Sequence, residues 1–211
     1  MRLDNPAPPN LPLSPELYDR LYIESLTNTL RLYFNRLENI TRNLLGRDGG
    51  RFLSNPFGAF SSEIDQSAAS TTVAYAITYS NTDISDSVFL SNSSRLNTTY
   101  PGIYNLQFSI QLENSDTQIH DVDVWAAING VNVANTNSKF SVPNKHGGVN
   151  GNLIAALNLF LTMQAGDYVE LYWRTSDIGV TVEYSSSGSS PTRPATPSVI
   201  ATMAFVSSIP E

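Results

Sequence analysis

The apolar positions of this chain follow two different periods. Between residues 15 and 46, Ile23, Leu26, Leu30, Tyr33, Leu37, Ile40 and Leu44 recur at separations of 3, 4, 3, 4, 3 and 4. That is the a/d seam of a heptad repeat, and it predicts one long helix with a narrow apolar stripe. Ser14 is placed to cap its first turn, Pro15 suits the first helical position, and Glu16 faces the positive end of the dipole. Gly46 follows the last seam residue as a stop. About 30 residues at 1.5 Å each make a rod of about 45 Å. A stripe of this kind needs something to cover it. Arg31, Asn35, Glu38, Asn39 and Arg42 take up much of the remaining surface, whereas a helix lying on its own domain usually shows a broader apolar face. Zipping of identical chains is therefore expected over packing on the chain's own domain, with Tyr22, Leu32 and Phe34 left for side contacts. The mixture of Ile, Leu and Tyr along the seam matches no single rule for the number of strands.

From residue 71 the period changes to 2, and strands alternate with turns. Strand runs are expected at 72–79, 87–90, 103–112, 119–128, 131–133, 153–163, 168–173, 180–184 and 199–206. Asn129-Gly130 is the strongest hairpin signal among them. The run 153–163 is nearly continuous in apolar residues, but Leu153, Ala155, Leu157, Leu159 and Leu161 alternate, which predicts a strand with something packed on both faces. In the run 168–173, Tyr168, Glu170 and Tyr172 fall opposite Val169, Leu171 and Trp173. Tyr168 and Tyr172 are thus candidates for a contact between heads. Many short strands without a convincing helix predict a mainly β, antiparallel sandwich. Four parts are expected: a Pro-rich extended arm (1–14), a coiled-coil helix (15–46), an irregular linker (47–70) and a β head (71–211). The linker carries Phe52, Phe57 and Phe60, so it is expected to pack rather than swing freely.

Composition narrows the function. The chain has 211 residues and no cysteine, which excludes disulfides and thiol chemistry. Its net charge is −7, with 12 basic residues dispersed along it, so nucleic-acid binding through a basic patch is not expected. No apolar run is long enough to span a bilayer, and Met1-Arg2-Leu3-Asp4-Asn5-Pro6 does not read as a secretory signal. Charged residues make up only 15% of the chain, while Ser, Thr and Asn abound. That is the surface of an extracellular or virion protein more than of a cytosolic enzyme.

Two sets of residues carry a resemblance. Pro101-Gly102-Ile103-Tyr104 opening a long strand, Ala127-Ile128-Asn129-Gly130 at a hairpin, and the run Met163-Gln164-Ala165-Gly166-Asp167-Tyr168-Val169-Glu170-Leu171 before a closing apolar strand resemble the globular head of the complement and tumour-necrosis-factor superfamily. The resemblance implies a jelly roll that trimerises. The last strand, Ala201-Thr202-Met203-Ala204-Phe205-Val206, departs from the glycine-flanked aromatic pair of that family. Asn10-Leu11-Pro12-Leu13-Ser14-Pro15-Glu16-Leu17-Tyr18, with Leu30-Arg31-Leu32-Tyr33-Phe34-Asn35, looks like the opening of small structural proteins of tailed phages, especially marine and cyanobacterial ones. That likeness implies a homotrimer with an arm anchored to other virion proteins, a helical stalk and a jelly-roll head. Its place would be the virion, after assembly in the host cytoplasm.

No catalytic constellation stands out. His120 begins a strand beside Asp121 and Asp123, but alternation points it away from both, so they do not converge on a metal. His146 lies in a glycine-containing loop without phosphate-loop spacing, and the serines at 185–190 lack the nucleophile-elbow pattern. No catalytic or metal-binding residue and no cofactor is expected. The polar loops 137–152 and 184–198, with Asn144, Lys145, His146 and Arg193, are candidate contacts for a host receptor or glycan. Three functions follow from these features: a trimeric virion fibre or surface appendage first, a capsid decoration or cement protein capping capsomer junctions second, and a carbohydrate-binding domain outside any virus third.

Overall fold

The computed structural model describes residues 8–13, 15–45 and 55–210, the side chains of residues 42–45 excepted. The chain divides into two compact units, Met1–Ser54 and Asn55–Glu211.

In the first unit, helix α1 runs over Arg20–Leu45, about 39 Å at 1.5 Å per residue. It begins five residues later than the sequence suggests. Asp19 caps it: Asp19 Oδ1 accepts from the Leu21 N–H at 2.9 Å, and the Ile23 N–H closes the first turn on the Asp19 carbonyl. Pro15 and Glu16 therefore precede the helix, and no acidic residue lies in its first turn. Ser14, Gly46 and the Leu44 side chain lie outside the described residues, as do residues 1–7 of the arm. Three threonine hydroxyls, on Thr27, Thr29 and Thr41, bond back to carbonyls four residues earlier. Such residues add little intrinsic helix stability. Between Arg20 and Thr41 not one side chain is buried: Ile23 is 43% exposed, and Leu26, Leu30, Tyr33, Leu37 and Ile40 are half-buried. Pro9 shares a cleft with Thr29, Leu32, Tyr33 and Arg36.

The second unit is mainly β with antiparallel sheets. Among its described residues the strands are β1 (Phe57–Ser62), β2 (Gln66–Ser67), β3 (Tyr75–Ala76), β4 (Asn81–Asp86), β5 (Val88–Ser91), β6 (Arg95–Thr98), β7 (Gly102–Asn114) and β8 (His120–Ile128). They continue as β9 (Val131–Asn132), β10 (Ser138–Val142), β11 (Gly151–Met163), β12 (Tyr168–Thr175), β13 (Val180–Val182), β14 (Gly188–Ser189), β15 (Thr192–Arg193) and β16 (Val199–Ser207). The first sheet runs β2-β13-β7-β16-β1-β4 with β11 on the other side of β7; the second runs β10-β8-β12-β6-β5 with β3 on β12 and β9 on β8. β14 and β15 form a separate hairpin. Tyr104, Leu106, Phe108, Ile110 and Leu112 of β7 meet Val122, Val124 and Ala126 of β8 and Val169, Leu171 and Trp173 of β12 in one core. Two sheets sharing a single apolar layer is the arrangement expected of a β sandwich.

Several expected elements move. The run 72–79 narrows to β3, although Ile77 and Tyr79 still reach the core. Strands β1, β4, β6 and β10 occupy segments that look like turn or loop in the sequence. β1 falls inside the expected linker: Phe60 is fully buried, and Ser62 of β1 pairs with Val199 of β16, so the sheet begins well before residue 71. β4 is polar because it is an edge strand, where charge and amides discourage further pairing. β11 is a strand, pairing with β7 along its whole length from Gly151↔Asn114 to Met163↔Gly102. Its outer face is open, however: Ile154 is 59% and Phe160 65% exposed. Among the described residues of the unit nothing supplies the second packed layer that the apolar run suggests.

Candidate functional site

The outer face of the second sheet is where side chains converge. Pairing of β8 with β12 sets Tyr172 opposite Trp125 and Arg174 opposite Asp123. The two rings stack at 6.0 Å with 19° between their planes, and Arg174 Nη2 donates to Asp123 Oδ2 at 2.9 Å. Directly opposite partners in an antiparallel pair are close enough for both contacts.

The edge of β8 shapes what lies above Trp125. Asn129 (φ 52°) and Gly130 (φ 78°) form the hairpin turn, with the left-handed conformations that a tight reversal requires. The Asn129 side chain donates to Asp167 and accepts from the Tyr168 N–H, tying the hairpin to the next turn. β9 pairs only with Ala127 and Ile128, and β10 takes up pairing at Val124. Across the gap the chain bulges out through residues 133–137. Thr136 holds the bulge in place: its hydroxyl donates to the Val133 carbonyl at 2.8 Å and accepts from the Ala126 N–H at 3.1 Å. Asn132 Oδ1 accepts from Trp125 Nε1–H at 2.8 Å. The result is a cleft of about 410 Å³ lined by Asp123, Trp125, Asn132, Val133, Ala134, Asn135, Asn137 and Arg174. Its one cation and one anion are paired with each other. Of the eight lining residues the sequence pointed only to Asp123, weighed and set aside as a metal partner of His120, and to Asn137, the first residue of the polar loop 137–152. The available signal was a tryptophan on the polar side of an alternating strand.

Tyr168 and Tyr172 lie on the face that alternation assigns them, but their own chain engages them. The Arg95 guanidinium sits 4.2 Å above the Tyr168 ring. The Tyr172 hydroxyl donates to Glu170 Oε2 at 3.3 Å, and burial, then the Glu170 charge, raise its pKa. Glu170 is itself buried and accepts from Ser94 Oγ at 2.6 Å.

The loop residues nominated by sequence fall at other places. Asn144 and Lys145 are half-buried, with the Lys145 N–H donating to the Asp116 carbonyl at 2.7 Å, while His146 is exposed and bridges Val149. Arg193 is exposed on the β14–β15 hairpin. The bases of the two loops adjoin at an acidic cluster. Asn150 Nδ2 donates to Glu113 Oε1 at 2.7 Å, and Tyr184 N–H donates to Asp65 Oδ1 at 2.7 Å. Burial, then a hydrogen bond and charge from Glu113 and the charge of Asp65, push Glu183 up to about 7.

His120 does turn away from Asp121 and Asp123. Asp121 pairs with Ser141 and Lys139, and Asp123 with Arg174. His120 meets Asp116 and Asp177 instead, all three offering ligand atoms within 4.8 Å of one another. The contacts are internal: His120 Nε2 lies 2.7 Å from Asp116 Oδ2, and the Gly179 N–H donates to Asp177 Oδ1 at 2.7 Å. The hydrogen bond with His120 is the main cause holding Asp116 below the usual carboxylate range. The group ties neighbouring loops together.

No protein-family model matches the chain, and no curated protein matches it in sequence. What the surface does is therefore read from its own chemistry. No helix among the described residues is long and apolar enough to cross a membrane.

Proposed function

We propose that the chain is a non-enzymatic structural protein of a phage virion, a homotrimeric fibre or surface appendage. In this reading the arm binds other virion proteins, three copies of α1 zip into a coiled coil, and a jelly-roll head projects its loops toward a host receptor or glycan. The observation that carries it is the uncovered heptad seam: a 26-residue helix with no buried side chain between Arg20 and Thr41 has little to hold it folded alone. Leu13, Leu17, Tyr18 and Leu21 are also strongly exposed, which suits a segment that meets a further surface on assembly.

The head adds a second surface for self-association. β11 is an edge strand with its far side unpaired among the described residues, and Leu153, Leu157 and Leu159 are only half-buried along it. Ile154, Phe160 and Ile200 are exposed on the adjoining outer face. Since Tyr168 and Tyr172 are engaged within their own chain, this face is the better seat for contact between heads.

Light scattering of the purified chain tests the reading. A mass near three times 23.1 kDa is expected, falling to one subunit in the double variant Leu30→Lys/Leu37→Lys. A lone subunit at high concentration in the unaltered chain would remove the appendage. Immunogold labelling of intact particles then tests its place on a virion.

A further inference from the structure

The geometry points to a saccharide-binding site in the Trp125 cleft, taking a neutral hexose-based oligosaccharide. A pyranose ring has an apolar face of C–H groups and a rim of hydroxyls that both donate and accept. It is recognised by a flat aromatic surface flanked by groups of mixed hydrogen-bonding capacity. The cleft supplies both. Trp125 is held rigidly, with Tyr172 stacked against it and Asn132 Oδ1 on its indole N–H, so little motion is lost when a ligand settles on it.

The rim is amide-rich. Asn132 keeps its NH₂ group after its oxygen is taken by Trp125. The Asn135 and Asn137 side chains make no hydrogen bond among the described residues, and both are exposed at the cleft. An amide offers two donors and an acceptor with two lone pairs, which matches adjacent hydroxyls. Charge selects further. Arg174 and Asp123 neutralise each other at 2.9 Å, so nothing in the cleft rewards a carboxylated or sulfated sugar over a neutral one. The volume of about 410 Å³ falls within the range of small-molecule pockets, about 300–1,000 Å³. The cleft is open rather than enclosed, which suits part of a longer glycan lying across it.

This assignment differs in place from the contact loops around His146 and Arg193, and it holds for a single chain or a trimer. Three copies would raise the avidity of a weak site. The test is binding of the full chain to a printed panel of neutral hexose and N-acetylhexosamine oligosaccharides, with sialylated and uronic-acid oligosaccharides beside them. Retention of neutral members is expected, with quenching or enhancement of the Trp125 fluorescence on titration; Trp173, 1% exposed, serves as the unresponsive reference. Trp125→Ala should weaken binding about tenfold or more. Ala134→Trp, which fills the cleft from an exposed position and removes no contact, should abolish it with the circular dichroism spectrum unchanged. His146→Ala and Arg193→Ala should bind as the unaltered chain does. Retention of no neutral oligosaccharide, retention of acidic ones alone, or full binding by Ala134→Trp would overturn the assignment. The trimer reading is judged separately by light scattering.

Discussion

Helix α1 and the β head solve the same problem in opposite ways. In the head, alternation on each strand delivers side chains to one shared layer, and Trp173, Tyr104 and Leu171 are all but fully buried within a single chain. In α1 a seven-residue repeat delivers a seam just as regular, yet none of its described side chains is buried. Regular patterning produces stability only where a second surface with the same pattern is at hand. The head carries its own; in the proposed trimer the helix finds one in another copy of the chain. The same contrast recurs between the outer faces of the head. On the second sheet, Trp125 stacks on Tyr172, and Arg95 lies over the Tyr168 ring and 3.5 Å from Glu170. On the first, an open trough of about 550 Å³ runs past Phe108, Leu157 and Ile200, and Phe160 stands beside it without a covering layer.

The largest test of this contrast is a pair of leucine truncations. Leu171→Ala should destabilise the head by about 2–5 kcal/mol, lowering its melting temperature by roughly 2–4 °C for each kcal/mol. Leu30→Ala should leave that transition within about 1 °C while reducing the assembled mass. Equal losses from the two would mean that the helix belongs to the head's core. A middle-sized effect is expected at the bulge over Trp125. Thr136→Val keeps the shape but strands the Ala126 N–H and the Val133 carbonyl, costing about 1–3 kcal/mol; urea unfolding of the full chain measures it. The smallest effect is electrostatic. The folded pKa of Glu183, about 7, stands above its ordinary value of 4.5, so folding favours the protonated acid. The stabilisation is complete below about pH 4.5 and is lost as pH rises through about 7. The melting temperature should therefore fall slightly between pH 5 and pH 8, and Glu183→Gln should flatten that slope. A slope unchanged in Glu183→Gln would place its origin elsewhere.

Much of the fold was legible in the chain itself. The heptad positions, the alternation in β7, β8 and β12, and the Asn129-Gly130 hairpin all register as patterns that a helix or a half-buried strand must show. What failed to register were strands whose own residues carry no pattern. β1 hides a fully buried Phe60 between Gly58, Ala59 and two serines, and β4 is almost wholly polar because its position is an edge. The helix start shifted because a carboxylate at Asp19 could cap as well as Ser14, and nothing local distinguishes the two. The Trp125 cleft was hidden for a different reason. Its members come from β8, β9, β12 and the loop before β10, and no spacing within one segment brings Asn135 to Arg174.

Local periodicity alone determined that this chain has an N-terminal helix and a β-rich unit after it, since backbone geometry ties each period to one regular structure. Which strands became edges, which outward aromatics found partners at home, and where a cleft opened were decided by strand order and register. Those depend on pairings between residues far apart in sequence: a one-residue slip of β12 against β8 would separate Tyr172 from Trp125 and Arg174 from Asp123.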